Sequence, residues 1–173
     1  ILSVAASLAS AASGTSGFVG NYGTVLSYPT GLQALPEMSG PENAVETVNF
    51  VPPDAGEPGP AAARAGWFQV LIMPARIVAQ YNKINDLDGY VEAVAAESKA
   101  NGEKPALARY KKSPLPGYVL TLAQPRGPFN TMVFLRGKTL YYRFAYARGN
   151  AVAEGMAASR LEGAAPKKKV KSK

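Results

Sequence analysis

The sequence predicts an α+β fold, in which helices pack against an antiparallel sheet. Two features carry this prediction: an amphipathic helix begins near Asp86, and two strand-like segments flank the turn Arg136-Gly137-Lys138. Groups of strands precede and follow that helix instead of alternating with helices, which is typical of an antiparallel sheet. The chain has 173 residues, of which 47% are hydrophobic, and this suits one domain with a single core.

Short runs rich in β-branched and aromatic residues, bounded by Pro, Gly or Asn, predict the strands. They cover residues 25–28, 44–51, 67–73, 106–110, 118–123, 131–135 and 139–147. The run 67–73 (WFQVLIM) is almost continuously apolar, so it predicts a central strand that is covered on both faces. The amphipathic run 106–110 predicts an edge strand.

Two helices are predicted among these strands. The first begins at Asn85 or Asp86 and ends at Asn101-Gly102, and its apolar residues follow the spacing of one helical face: Leu87, Tyr90, Val91, Val94 and Ala95. The second covers residues 151–161, with Asn150 as its cap and Gly163 as its end. Its Gly155 either weakens the helix or allows close packing on the sheet.

The composition divides the chain into three parts. Residues 1–21 predict a flexible arm of small residues or a targeting remnant, because residues 1–14 resemble the end of a signal-peptide apolar region, with an A-x-A pattern around Ala9 to Ala11. Residues 22–163 predict a single α+β domain, in which 54–65 (DAGEPGPAAARA) is a surface loop. Residues 164–173 predict a basic, disordered tail.

The sequence lacks the side chains that most enzymes use at neutral pH. It has no Cys and no His, so it offers no thiolate nucleophile, no zinc–thiolate site and no imidazole base. We therefore expect no catalytic residue, no cofactor and no metal ligand, and a protein that acts by binding a partner. An enzyme that uses Lys, Tyr or carboxylate groups stays open. The acidic residues of the first helix lack EF-hand spacing and are interpreted as capping and solvated groups.

A dense run of lysines near the end of the sequence supplies most of the net charge of +7: Lys167, Lys168, Lys169, Lys171 and Lys173. Three interpretations are open, namely a solvated terminus, an electrostatic tether to an anionic surface and a nuclear-localisation signal. We take these five lysines as candidate partner-binding residues.

The predicted strand 139–147 carries a second candidate surface. Its period-two alternation places Tyr141, Arg143 and Ala145 on one face of the sheet, and on the other face Leu140, Tyr142, Phe144 and Tyr146. Tyr141 and Arg143 are candidate partner-binding residues. Tyrosines beside Arg143 and Arg148 are also compatible with nucleic-acid stacking, but aromatic packing inside a strand explains them more simply, and we expect no nucleic-acid partner.

The chain resembles the PsbP family, the extrinsic lumenal proteins of oxygenic photosystems, and the related bacterial DcrB lipoproteins. An opening strand of the family's type is matched by Gly23, Leu26, Tyr28, Pro29 and Gly31, although Leu32 stands where the family has Trp. The order of later elements also agrees: an aromatic-bearing strand at 48–50, a buried strand at 67–73, a helix at 87–97, paired strands across 118–147 and a helix at 152–161. The resemblance covers about residues 22–161.

The resemblance implies an α/β/α sandwich and a non-catalytic accessory subunit that docks on a larger membrane protein complex, with a photosynthetic complex of the thylakoid as host. It implies the thylakoid lumen or another extracytoplasmic compartment, peripheral contact with a membrane and no small-molecule substrate. The alternative is a free periplasmic DcrB-like binding protein of a high-GC bacterium. No metal ligands are carried over from the family.

Overall fold

The computed structural model describes residues 14–162. Nine strands have these bounds: β1 Thr15–Val19, β2 Val25–Pro29, β3 Gln33–Ser39, β4 Val45–Val51, β5 Phe68–Pro74, β6 Pro105–Tyr110, β7 Gly117–Leu122, β8 Thr131–Arg136 and β9 Leu140–Tyr146. Four α-helices within the described range have these bounds: α1 Pro60–Arg64, α2 Ala75–Asn82, α3 Leu87–Ala100 and α4 Ala151–Ala158. A short 3-10 turn covers Pro41–Asn43.

The main sheet has seven strands in the order β3-β4-β5-β9-β8-β7-β6, and β1 and β2 form a separate two-stranded sheet. All neighbouring strands are antiparallel. The main sheet joins two meanders, β3 to β5 and β6 to β9, through the pairing of β5 with β9. The α+β class with an antiparallel sheet is thus confirmed, with the predicted central strand at β5 and the predicted edge strand at β6.

The two faces of the main sheet pack against different elements. On one face, Tyr142 and Phe144 of β9 share a core with Leu26 of β2 and with Ala153 and Met156 of α4. On the other face, the buried residues of the sheet share a core with α2 and α3, including Phe134, Tyr141, Val78, Tyr90 and Val91. The alternation predicted for 139–147 is confirmed, because successive side chains of β9 enter opposite cores.

The two predicted helix caps are confirmed. The Asp86 carboxylate accepts a hydrogen bond from the Gly89 backbone N–H at 2.8 Å, and the Asn150 side-chain oxygen accepts one from Ala153 N–H at 3.0 Å. Such side-chain acceptors satisfy N–H groups that have no partner within the helix. At the other end of α3, Gly102 has a φ of 77°, as expected of a residue that ends a helix.

Five elements differ from the predictions. β1 lies within the segment 1–21 that we assigned to a flexible arm, and it forms because all five of its residues pair with β2. β3 and α2 were not predicted, and α1 lies within the predicted loop 54–65, where Ala62 and Ala63 are buried. α4 ends at Ala158, three residues before the predicted end. Gly163 lies outside the described residues.

The N-terminal hairpin is bound to both the main sheet and the end of the described chain. The Val25 N–H donates to the Leu161 carbonyl at 3.0 Å, and an isolated bridge pairs Thr24 with Glu162. The Tyr22 hydroxyl donates to the Ala44 carbonyl at 2.7 Å. The hairpin is therefore integral to the fold and lies beside the point from which the chain continues toward the lysine run.

Between residues 14 and 162, none of the helices combines the length and the apolar character needed to cross a membrane.

Candidate functional site

Arg143 lies on β9, at the centre of the main sheet, on the face that α3 covers. Its neighbours in register are Leu71 of β5 and Phe134 of β8. The side chain is half-buried, and its Nε atom is buried without a hydrogen-bond partner. Within the described range 14–162, the guanidinium also forms no ion pair with a carboxylate. Arg143 therefore places a positive charge under the helix without an ion-paired carboxylate among the described residues.

A cavity of about 260 Å³ opens beside Arg143, between the C-terminal half of α3 and the loop before β8. Its polar lining comes from β5, β9, α3 and the segment after α3: Gln69, Arg143, Glu97, Ser98, Asn101 and Glu103. Its apolar lining includes Val94, Leu122, Phe129, Met132 and Ala145. The cavity, which we call the Arg143 cavity, therefore combines a cation, two carboxylates and an apolar wall.

The groups around the Arg143 cavity are positioned by contacts on their outer sides. The Gln69 amide donates to Asn49 Oδ1 at 3.2 Å, and Glu103 Oε1 accepts from the Arg126 backbone N–H at 2.9 Å. The Phe129 ring packs on Trp67 with centroids 4.6 Å apart. Ser98 is only 4% exposed. These contacts restrict the walls, so the cavity is a pre-formed feature of the fold.

Tyr90 of α3 lies next to Arg143 at the inner end of this region. Burial raises the pKa of the Tyr90 hydroxyl, and the positive charge of Arg143 opposes part of that rise. The hydroxyl donates weakly to Met73 Sδ at 3.8 Å. The phenol is therefore neutral at physiological pH and acts as a core group.

Tyr141, one of the predicted partner-binding residues, is 1% exposed. Its ring packs against Tyr90, with centroids 5.4 Å apart, and lies under the Arg136 guanidinium at 4.5 Å. Its hydroxyl is buried without a hydrogen-bond partner. In this structure Tyr141 is part of the core, whereas the sequence analysis placed it on a partner-binding surface. The reason is that α3 covers this face of β9.

A second cavity, of about 430 Å³, lies at the end of the sheet where β5 meets α2 and where β8 turns into β9. Its lining includes Tyr22, Arg76, Arg136, Lys138 and Leu140. Arg76 is exposed and pairs with Glu42 at 2.7 Å. Arg136 donates to the backbone carbonyls of Gly137 and Leu140 at 2.9 and 3.2 Å. We call Arg76, Arg136 and Lys138 the basic end of the sheet.

The basic end of the sheet lies beside the last described residue. The Lys138 backbone N–H donates to Glu162 Oε1 at 2.8 Å. The five candidate lysines, Lys167, Lys168, Lys169, Lys171 and Lys173, lie outside the described residues. They follow Glu162 by five or more positions in the sequence.

The described residues do not form a recognisable catalytic or metal-binding group. No cluster of three or more acidic ligands that could hold a metal occurs among residues 14–162. Burial raises the pKa of Tyr110, Tyr142 and Tyr146, and a hydrogen bond to Asp88 raises that of Tyr118. Raised pKa values keep these phenols protonated at neutral pH, so little phenolate is present to act as a base. What the two cavities offer is charge and shape.

Sequence reasoning found Arg143 but missed the groups that surround it. Gln69 and Glu103 are distant in the sequence and no local pattern connects them to Arg143. One signal was present: Arg143 interrupts a strand whose other residues are apolar or aromatic (LYYRFAY). A lone charged residue in a central strand indicates a site where the sheet meets water or a ligand. No pattern in the sequence indicates that Arg76 and Lys138 line one cavity.

Comparisons with protein-family models, with curated proteins and with solved structures each find no match to this chain.

Proposed function

We propose that the chain is a non-catalytic accessory subunit that docks on a larger membrane protein complex, and that this host is a photosynthetic complex of the thylakoid. The proposal places the protein in the thylakoid lumen and gives it the α/β/α sandwich of PsbP-like proteins. The packing of α2 and α3 on one face, and of α4 and the hairpin on the other, supports that architecture. The absence of Cys and His from the sequence supports a role in binding.

The observation that carries the docking proposal is the position of the basic end of the sheet. Arg76, Arg136 and Lys138 line one cavity, and Lys138 contacts Glu162, from which the chain continues to the lysine run. In the sequence, Lys167, the first lysine of that run, follows Glu162 by five residues.

Two acidic side chains reduce the charge of this end without cancelling it. Glu42 pairs with Arg76, and Glu162 accepts the Lys138 N–H. No carboxylate of the described range forms an ion pair with Arg136 or with the Lys138 ammonium group. An acidic surface of a partner complex is complementary to these cations, and such complementarity raises the association rate and depends strongly on salt.

Native purification tests the proposal. Membranes of the source organism are solubilised gently at low salt, the full chain is followed by native electrophoresis, and co-migrating chains are identified. We expect migration with a photosynthetic complex, and release at about 1 M salt, where the Debye length is about 3 Å. Recovery of a free monomer at low salt contradicts docking. Co-migration with a complex of another kind contradicts the photosynthetic host alone.

Charge reversal at the basic end identifies the docking surface. Lys138→Glu in the full chain is expected to weaken co-migration, because Lys138 is exposed and belongs to the basic end. Lys99→Glu is the matched control, because Lys99 is also exposed but lies in the last turn of α3. Equal effects of the two variants would mean that general charge, and not this surface, governs the association.

The second candidate function is that of a free periplasmic DcrB-like binding protein of a high-GC bacterium. The Arg143 cavity favours it, because a concave site that combines a cation with apolar walls suits a small ligand. Fractionation separates the two candidates. The binding protein is expected alone in the soluble extracytoplasmic fraction, whereas the accessory subunit is expected with the membranes.

A further inference from the structure

The Arg143 cavity contains a charged group that the fold itself does not satisfy. Arg143 Nε is buried and makes no hydrogen bond. Leaving a buried donor unpaired costs free energy, and the cost is greater for a charged group. Nε itself is closed to solvent, so an anion in the cavity meets the remainder of the Arg143 side chain, which lines it. A carboxylate is the anionic group whose two oxygens match the fork of a guanidinium.

The remaining charges of the cavity argue against a simple anion. Glu97 and Glu103 both line it, so its three charged side chains sum to a negative charge. The cavity also borders the last turn of α3, which contains Ser98 and is followed by Asn101. The C-terminal end of a helix carries partial negative charge and favours a cation. A ligand with a carboxylate alone would be repelled on this side of the cavity.

The size and the apolar lining limit the ligand further. A volume of about 260 Å³ lies just below the roughly 300–1,000 Å³ of most small-molecule sites. Val94, Leu122 and Met132 form part of the wall. These side chains suit a short aliphatic group.

We propose that the Arg143 cavity binds a small zwitterion of the amino-acid type, with its carboxylate on Arg143, its ammonium group toward Glu97 and Glu103, and its aliphatic side chain against Val94, Leu122 and Met132. The ligand is bound without being converted. The site goes beyond the docking proposal and does not depend on it, because the basic end of the sheet involves other residues.

Three probes of nearly equal shape test the charge requirement on the full chain: leucine, 4-methylpentanoate, which lacks the ammonium group, and 3-methylbutylamine, which lacks the carboxylate. Two-dimensional amide NMR spectra report binding at Ser98, Asn101 and Phe129. Leucine is expected to give saturable shifts, with Kd values about tenfold or more weaker for the other two, since each loses a charged contact worth at least about 1.4 kcal/mol. No saturable shift with about 10 mM leucine overturns the proposal, because Kd then exceeds the millimolar range.

Variants test the placement of each group. Arg143→Met is expected to weaken leucine binding about tenfold or more, since a charged contact is lost. Arg148→Met, an exposed arginine just after β9, is the matched control and is expected to leave binding unchanged. Glu97 is exposed, so Glu97→Gln does not threaten the fold. This variant is expected to weaken the binding of leucine and to strengthen the binding of 4-methylpentanoate. Unchanged leucine binding in both folded variants, or equal binding of leucine and 4-methylpentanoate to the wild type, overturns the assignment.

Discussion

At the residue scale, Glu46 is the most unusual side chain of the fold. It lies on β4, is only 1% exposed, and has no cation within ion-pair distance among the described residues. Its oxygens accept hydrogen bonds from the Asn21 backbone N–H, at 3.1 and 3.2 Å, and from the Asn21 side-chain amide at 2.9 Å. Buried carboxylates need such donors. Glu46 thereby fastens the β1–β2 turn to the main sheet.

Glu46→Ala is expected to lower the free energy of unfolding by about 2–4 kcal/mol, because it removes charge-assisted hydrogen bonds and leaves donors of Asn21 without partners. Chemical denaturation monitored by circular dichroism measures this loss. Glu37→Ala is the matched control, since Glu37 is exposed on the neighbouring strand β3 and is expected to change stability by less than about 0.5 kcal/mol. A similar loss in both variants would contradict the role assigned to Glu46.

Glu42 gives the fold a pH dependence at acid pH. A hydrogen bond from Arg76 is the main reason that the pKa of Glu42 lies below its ordinary value of 4.5. A carboxyl whose folded pKa is lowered adds stability above the unfolded pKa, and that stability disappears as the pH falls through the folded pKa. The difference in unfolding midpoint between wild type and Glu42→Gln is therefore expected to be present above about pH 4.5 and to shrink below it. A constant difference from pH 2 to pH 7 would contradict this linkage.

At the scale of elements, two glycines in regular structure are expected to respond in opposite ways to substitution by alanine. Gly155 is exposed in α4, and an added Cβ would meet nothing within 4 Å. The open space contradicts close packing of Gly155 on the sheet, and weakening of the helix by Gly155 stays a prediction. Gly117, at the start of β7, lies opposite Leu135 of β8. An added Cβ there would lie 2.7 Å from the Phe134 carbonyl oxygen.

Gly155→Ala is expected to raise the free energy of unfolding by about 0.5–1 kcal/mol, because Ala has the higher helix propensity and fits the open space. Gly117→Ala is expected to lower it by about 1–3 kcal/mol, because the backbone carbonyl cannot move away without disturbing the strand pair. Thermal unfolding of the two variants beside the wild type measures both effects. Shifts of the same sign would contradict the packing described for α4 or for β7.

At the scale of the whole molecule, the hairpin of β1 and β2 shares a core with the main sheet. Leu26 of β2 is fully buried and belongs to the same cluster as Val48, Phe144 and Met156. Val25, its neighbour in sequence, points away and is 38% exposed. A core shared by two sheets makes them one cooperative unit. The hairpin is therefore expected to unfold together with the sheet.

Leu26→Ala is expected to lower the global free energy of unfolding by about 2–5 kcal/mol, with a single transition retained, because a cavity forms in the common core. Val25→Ala, on the exposed face of the same strand, is expected to cost less than about 1 kcal/mol. Hydrogen exchange measures the cooperativity: in Leu26→Ala, the amides of β5 are expected to lose protection together with those of β2. Loss of protection in the hairpin alone would contradict a common core.

Local sequence patterns by themselves determined the elements whose stabilising contacts are close in the chain. The i, i+3, i+4 spacing around Tyr90 and the cap at Asp86 predicted α3, and alternation around Arg136-Gly137-Lys138 predicted the pairing of β8 with β9. The absence of Cys and His limited the chemistry without any structure. These features depend on helical and strand periodicity, which a single segment carries within itself.

The tertiary structure alone decided what depends on contacts between distant segments. Glu46 and Leu161, which are distant in the sequence, hold the β1–β2 hairpin in place, and Tyr141 enters the core only because α3 covers its face of the sheet. The same covering leaves Arg143 in a cavity with Gln69 and Glu103, and chain folding brings Arg76 to Lys138. Sequence periodicity does not encode contacts between distant segments, because the burial of a side chain and the charges around it depend on which segments pack together in space.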